Sequence, residues 1–299
     1  MINAFTVDVE DYFQVSGFEG SIDRNSWSIY ENRVVASTRR MLELLHKSNV
    51  RGTFFVLGWI ADHYPTLVQE IDKCGHEIGS HSYWHSLVYE QTPAEFREDL
   101  RRSRNAIEDI IGKPVVAYRA PSFSITPRSK WALEILVEQG FTMDSSIFPI
   151  HHDRYGIPNA QRGPHILSTP SGEIWEFPPT VTRLSGMNIP VGGGGYFRLF
   201  PVAWTSYWLQ HVQVVDQVPV MFYIHPWEID ADQPRLRAGG LMARFRHYVN
   251  LARTEMKLNR LLSEISFGSM SEALTERFGN QLFNPPVQIT HLETVSHAS

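Results

Sequence analysis

The run Glu77-Ile78-Gly79-Ser80-His81-Ser82-Tyr83-Trp84-His85 decides how this chain reads. Residues 77–79 form a brief strand that delivers two histidines four positions apart. If the second half is helical, side chains at i and i+4 project from one face. Two imidazoles so spaced grip one divalent ion. The bland alternative is a pair of ordinary polar residues in a chain with 13 histidines. A zinc site built for catalysis also needs a third protein ligand and an open position for water.

Working outward, the same strand-and-turn pattern recurs on both sides. Residues 4–8 read as a buried strand ending in the acidic cluster Asp8, Glu10 and Asp11. Residues 34–47 carry apolar side chains at helical spacing. Residues 52–57 are a second strand, and residues 65–73 a helix closed by Gly75. Thr92-Pro93-Ala94-Glu95 is a helix start: a capping Thr, Pro at the first position and Glu at the third. That helix runs to about Ile111, with Gly112 and Pro114 ending it. Residues 115–118 form a fourth strand, Thr126-Pro127 opens a further helix closed by Gly140, and residues 141–143 form a fifth strand. Four repeats of this alternation with short connections argue a parallel α/β arrangement.

Residues 147–200 break the rhythm with Pro and Gly. Short strands are expected at 166–169 and 174–177. The run Gly192-Gly193-Gly194-Gly195 lacks the strand–turn–helix frame of a phosphate-binding loop and reads as a flexible or tightly turned loop at the rim of a site. A helix follows at 201–214 and a last buried strand at 220–224. Helical segments near 239–250, 254–264 and 270–278 come next, and residues after about 285 read as a tail.

Bulk composition narrows the class. A chain of 299 residues with 42% hydrophobic and 12% aromatic residues can bury a sizeable core. A net charge of −5 leaves no basic footprint for nucleic acid. No apolar run approaches the roughly 20 residues that span a bilayer. The first eight residues lack a basic n-region and a long apolar stretch, and read as a strand, not a signal peptide. The single cysteine, Cys74, excludes an internal disulfide and a cysteine-based zinc knuckle. The expectation from these features is a soluble cytoplasmic enzyme.

Asp8, His81, Arg119, Asp144 and His225 each fall at or just after the end of an expected strand, which is where β/α barrels and open parallel sheets build their sites. Taken singly, each has a plain reading as a turn residue, cap or surface ion pair. Together they suggest convergence on one pocket.

In order and spacing, these stretches resemble the NodB-type polysaccharide deacetylases, carbohydrate esterase family four. The five motifs are Thr6-Val7-Asp8-Val9-Glu10-Asp11, Ser80 through His85, Arg119-Ala120-Pro121, Asp144-Ser145-Ser146 and Ile224-His225-Pro226. The variants Asp-Val-Glu-Asp-Tyr-Phe and His-Pro-Trp-Glu resemble a subgroup encoded with exopolysaccharide export loci of the exosortase type. The resemblance implies a distorted (β/α) barrel of seven or eight strands over residues 1–228, a C-terminal helical segment at 229–283 packed on it, and a tail at 284–299. It implies metal-dependent removal of N-acetyl groups from the amino sugars of a polysaccharide or its precursor.

The family's residue roles carry over as follows. Asp8 is the base, and His81 and His85 are metal ligands. The carboxylate ligand is Glu10, with Asp11 as the alternative, because Val9 separates two groups that many relatives carry side by side. Zinc suits the ligand set best, and cobalt or nickel also fits. Arg119 keeps Asp8 ionised. Ser122, where the family often has an aromatic residue, offers its backbone N–H to the oxyanion. His225 protonates the leaving amine, and Asp144 holds that imidazole charged. Trp175, Tyr196, Phe197 and Trp227 are candidate sugar-stacking walls, or else plain core. Residues 185–200 and the C-terminal segment are expected to set substrate shape. Two rival readings remain: hydrolysis of another amide, such as a sugar formamide or a cyclic ureide, and a non-catalytic glycan binder. Neither nucleic acid nor a membrane span is expected.

Overall fold

The computed structural model describes residues 1–152 and 154–279. The expected tail at 284–299, and residues 280–283 of the expected C-terminal segment, lie outside the described residues.

Strand and helix alternate from the start of the chain. The order opens with β1 (Asn3–Val9), α1 (Val34–Lys47), β2 (Thr53–Val56), α2 (Gly58–His63), α3 (Pro65–Lys73) and β3 (Glu77–Ser80). It continues with α4 (Pro93–Ile111), β4 (Ala117–Tyr118), α5 (Trp131–Glu138) and β5 (Met143–Asp144). Local chemistry sets these boundaries. Thr92 and Glu95 form the reciprocal capping box at the start of α4, and Gly112 ends that helix at φ 64°. Thr126-Pro127 does not open α5. The Ser129 hydroxyl accepts the Thr126 N–H at 2.9 Å, a turn forms first, and the helix begins at Trp131. The six residues of α2 were not anticipated, being too short to show a helical period.

The second half contains the expected hairpin, β6 (His165–Thr169) and β7 (Gly172–Glu176), and a further one, β8 (Val181–Leu184) and β9 (Met187–Pro190). Next come α6 (Gly194–Leu199), α7 (Val202–Asp216), β10 (Met221–Ile224), α8 (Leu241–Tyr248), α9 (Leu251–Glu264), β11 (Phe267–Gly268) and α10 (Met270–Phe278).

The main sheet runs β10-β1-β2-β3-β4-β5-β7-β6, with β11 pairing β1 off that path. Every neighbouring pair from β10 to β7 is parallel, and only β6 returns antiparallel. The α/β barrel-type fold stands as read, in the form of a curled half-barrel sheet of nine strands where seven or eight were expected. Side chains alternate along each strand. Phe5, Val7, Phe54, Val56 and Phe222 join the layer between sheet and helices. Ala4, Phe55, Ala117, Met143, Phe177 and Met221 face the barrel interior. Gly79 shares the inward phase because a Cβ there would come within 2.6 Å of the Phe55 ring.

The glycine run stitches the open side of the sheet. Met221 N–H donates to the Thr180 hydroxyl at 2.7 Å, Gly192 N–H to the Thr180 carbonyl at 3.0 Å, and Tyr223 N–H to the Gly192 carbonyl at 2.8 Å. Gly193 takes φ 131°, and a Cβ there would lie 1.9 Å from the Tyr223 carbonyl oxygen. The run is tightly turned, as read, but it is laid against β10 and is no flexible rim.

The C-terminal segment does two things. Strand β11 pairs Asn3 and Ala4, the first residues of β1. Met270, Ala273 and Leu274 of α10 pack into the interior cluster beside it. These elements stopper the barrel at the strand starts, away from the strand ends where substrate shape would be set. Helix α9 instead packs on the turn Pro226–Ile229, and His247 of α8 stacks on Trp227 of that turn.

Candidate active site

The strand pleat decides which polar residues meet. Inward positions on β1 are Ala4, Thr6 and Asp8, and Glu10 follows just past the strand. On β4 the inward phase leads from Ala117 to Arg119, and on β10 from Met221 through Tyr223 to His225. All of these arrive at the strand ends, where His81 also emerges from β3.

Ligand atoms of Glu10, His81 and His85 lie within 4.8 Å of one another, and all three residues are buried. The pair of histidines does not sit on a helix, as the i, i+4 reading supposed. Residues 81–85 are a loop, with Ser82 at φ 72° and His85 at φ 55°. Asp99 on α4 clamps it, accepting the N–H groups of Tyr83 and Trp84 at 2.8 and 3.2 Å and the Ser82 hydroxyl. His81 Nδ1–H donates to the Arg119 carbonyl at 2.8 Å, which leaves Nε2 free to ligate.

The donor set fits a divalent ion. Glu10 Oε2 stands 2.7 Å from His85 Nε2, and both atoms face common ground with His81. Its other oxygen, Oε1, is held by the Trp227 indole N–H at 3.2 Å. Burial would raise the Glu10 pKa, but the histidines at 85 and 225 outweigh it and hold the carboxyl at about 2. Burial holds His81 down to about 4, so its imidazole is neutral at pH 7. An ionised carboxylate and a neutral imidazole are the forms that bind metal.

Beside this trio lie two charged pairs. Arg119, wholly buried, meets Asp8 Oδ1 at 2.6 Å and spends its other donors on Thr6, Ser145 and Met221. His225 Nε2 stands 3.8 Å from Asp8 and 3.6 Å from Glu10. Its Nδ1–H donates to Glu228 Oε1 at 2.8 Å, and Glu228 is in turn held by Arg198 at 2.6 Å. Burial alone would push the His225 pKa down, but Glu10, Glu228 and Asp8 hold it up at about 9. The His225 side chain keeps 19% of its exposure, against 3% for Asp8 and 2% for Glu10, so the site opens on the His225 side.

Several expected residues fall elsewhere. Asp144 does not reach His225. Met143 and Ser145 take the inward phase, so Asp144 turns to the helix side of the sheet. There it accepts the Ser146 hydroxyl at 2.5 Å and faces Glu176 across the β5–β7 register. Asp11 is no part of the trio. Its carboxylate accepts the N–H groups of Tyr12, Arg33 and Val34, each at 2.9 Å, and so caps the start of α1. Trp175 packs on Phe278 of α10 at 4.8 Å, at the stoppered end. Phe197 is core against Phe222. Trp227 is buried between His225 and His247, with ring centroids 5.1 and 4.2 Å away, and its work is to fix Glu10. Tyr196 is half-buried on α6 beside Tyr223. Ser122 sits at φ 51° in a turn whose own hydrogen bonds use the Phe123 and Ser124 N–H groups, while its hydroxyl pairs with Ser16 at 2.7 Å.

Sequence reasoning passed over Glu228, Arg198, Asp99 and Trp84. Glu228 had a signal, since it stands three residues after His225 in a turn opened by Pro226. Asp99 and Arg198 had none, because each acts only through tertiary contact. Trp84 stands in the histidine motif itself. It lines a groove of about 640 Å³ together with Ser86, which flanks His85 on the other side in sequence, and with Arg24, Glu90, Glu98 and Arg102. Arg24, Trp84 and Ser86 also line an adjoining hollow of about 410 Å³.

Residues 23–143 match the family described as Polysaccharide deacetylase, and residues 145–275 match a Domain of unknown function (DUF3473). His81, His85 and Arg119 fall in the first match and His225 in the second, while Asp8 and Glu10 precede both. The chain is 32% identical over 98 residues to a peptidoglycan-N-acetylglucosamine deacetylase of Bacillus cereus, covering 32% of this chain and 36% of that protein. The chain spans half or less of the length of the curated relatives it matches. A solved structure of a candidate polysaccharide deacetylase from Mycobacterium smegmatis superposes with TM-score 0.62 at 19% identity, over 97% of this chain and 94% of that one. An allantoinase structure superposes with TM-score 0.61 at 14% identity, over 95% and 91%. These two likenesses speak to the fold alone. The matched stretch, residues 23–143, is similar to polysaccharide deacetylase domains and carries three of the motif residues, His81, His85 and Arg119.

Proposed function

We propose that this protein is a metal-dependent hydrolase that removes N-acetyl groups from amino sugars of a polysaccharide or its precursor. One observation carries the reading: Glu10, His81 and His85 converge beside an Asp8–Arg119 pair and a His225–Glu228 pair. Relatives named as peptidoglycan and chitin deacetylases support the substrate class. The match over residues 145–275 is consistent with the extra C-terminal segment of the exopolysaccharide-locus subgroup.

Glu10, His81 and His85 would hold the ion, zinc fitting the donors best. Such an ion supplies positive charge that lowers the pKa of a water from 15.7 toward about 7 and polarises the acetyl oxygen. Asp8 takes the water proton. Arg119, donating to Asp8 Oδ1 at 2.6 Å, keeps Asp8 oriented. The Ser122 N–H, left over by its turn, is the candidate donor to the developing oxyanion. His225, charged through pH 7 and more exposed than Asp8 or Glu10, gives its proton to the departing amine, which is otherwise a very poor leaving group. Glu228 keeps that imidazole charged and fixes its tautomer. The face of Trp84 in the neighbouring groove is the candidate wall for sugar rings.

The test is acetate release from an N-acetylglucosamine oligomer, with and without chelator and with formate followed in parallel. Acetate that disappears with chelator supports the reading. Formate alone, or no product with a metal-replete protein, sinks it in favour of another amide or a binding role.

A further inference from the structure

Helix α8 carries an apolar face that nothing in the described chain covers. Leu241 is 84% exposed, Met242 61% and Phe245 56%. At i, i+1 and i+4 they share one side of the helix. Large apolar residues so exposed and so close together mark an interaction surface.

The surroundings say what kind. Between Asp232 and Glu255 the sequence has no acidic residue and five arginines, in a chain whose net charge is −5. Arg235, Arg237, Arg244 and Arg246 are all exposed. Among the described residues none of the four stands within ion-pair distance of a carboxylate. Arg235 lies over the Tyr248 ring at 4.3 Å. An apolar helical face fringed by unpaired arginines is the pattern of a helix lying in a bilayer interface, with guanidinium groups at anionic headgroups. A protein partner of ordinary composition would not call for four arginines, none paired with a carboxylate among the described residues, around three bare apolar side chains.

The placement suits such a role. The opposite side of α8 is anchored at the strand-end face of the barrel. His247 stacks on Trp227 and meets the Phe18 ring at a tilt, Ala243 meets Gly17, and the Gly239 N–H donates to Ser21 in the loop after β1. Trp227 stacks in turn on His225, so the exposed face is two ring layers from the open side of the site.

We propose that α8 docks the protein on an anionic lipid surface, presenting the site to a sugar carried at that surface. No helix among the described residues is long and apolar enough to cross a membrane, so the docking is peripheral. The docking stands without the hydrolase reading, whereas the sugar at that surface rests on it.

The experiment is co-sedimentation of the full chain with vesicles of phosphatidylglycerol and phosphatidylcholine, against vesicles of phosphatidylcholine alone. The expected result is binding to the anionic vesicles that weakens as salt rises. Leu241→Glu/Phe245→Glu and, separately, Arg244→Glu/Arg246→Glu should each lower it about tenfold or more. Acetate release from a soluble oligomer should be unchanged in both variants. Both sets of substitutions are at exposed positions, and circular dichroism melts check that each protein is folded. The proposal is overturned if the wild type ignores anionic vesicles or if the apolar variant binds them as well as wild type. It is equally overturned if sedimentation velocity without lipid shows self-association that Phe245→Glu abolishes, because the face is then an interface between copies.

Discussion

Glu228 accepts two hydrogen bonds from His225 on one oxygen: the Nδ1–H at 2.8 Å and the backbone N–H at 3.0 Å. The carboxylate, itself fully buried against Arg198, thus fixes both the ring and the strand end that carries it. Asp144, the partner expected from the motif, lies on the other face of the sheet. Which carboxylate serves His225 is therefore a question of pleat, and it can be tested.

Glu228→Gln keeps a side chain that can still accept from His225 but removes a charge that holds the imidazole near 9. On the proposed mechanism protonated His225 is the acting form, so activity should be level below its pKa and fall as pH rises through about 9. In the variant that alkaline limb should move to lower pH, and kcat should fall by about 10²-fold. Metal content should stay at the wild-type level. A pH–rate profile of each protein reads both effects.

Asp8→Asn should retain metal and lose about 10²–10⁴-fold in turnover, the usual worth of a positioned general base. It also leaves Arg119 buried without its counter-charge, and losing one partner of such a pair costs about 3–5 kcal/mol. A melting curve run beside the assay separates lost stability from lost chemistry. An active, metal-replete Asp8→Asn protein would remove Asp8 from the base role.

Asp144 and Glu176 make a different prediction. Both are fully buried and face each other, and burial pushes Asp144 up to about 6 and Glu176 well above its ordinary value. A raised folded pKa means that the fold prefers the protonated acid. The stability contributed by Asp144 is complete below about 3.8 and is lost as pH rises through about 6. Asp144→Asn cannot ionise, so the Tm of the variant should gain on the wild type between pH 4 and 7. Its pH–rate profile should keep the alkaline limb, because His225 answers to Glu228.

Gly193→Ala tests the seam. The new methyl has no room against the Tyr223 carbonyl, and φ 131° suits glycine. We expect a loss of about 3 kcal/mol or more, the range of steric and backbone conflicts in a core, read as a fall in Tm. Gly112→Ala, at φ 64° with open space around it, should cost about 1 kcal/mol.

How much of this was legible follows from period and range. The helices at 34–47, 65–73 and 93–111 were readable because cap residues and a 3.6 period act within a few positions. Asp8, His81, Arg119 and His225 were readable as strand-end polar groups, and they do meet. Asp144 shares that sequence signature but sits out of phase by one residue, and a two-residue strand, β5, shows too little alternation to reveal it. Trp175 and Trp227 look alike in sequence, and only packing tells the stoppered end from the open one. The glycine run required a neighbour, β10, that lies some thirty residues on. Asp11 and Glu10 were separated only by where α1 starts, since the Arg33 and Val34 N–H groups take the Asp11 carboxylate.

The most direct measurement is metal-dependent acetate release by protein stripped with chelator and then titrated with zinc. Activity should rise from baseline and level off at about one equivalent per chain, as expected for a site closed by three protein ligands. Glu10→Gln should bind the ion far more weakly and stay near baseline at the same zinc concentration. Full activity in the stripped protein, or an unchanged titration in Glu10→Gln, would contradict a metal centre built on Glu10, His81 and His85.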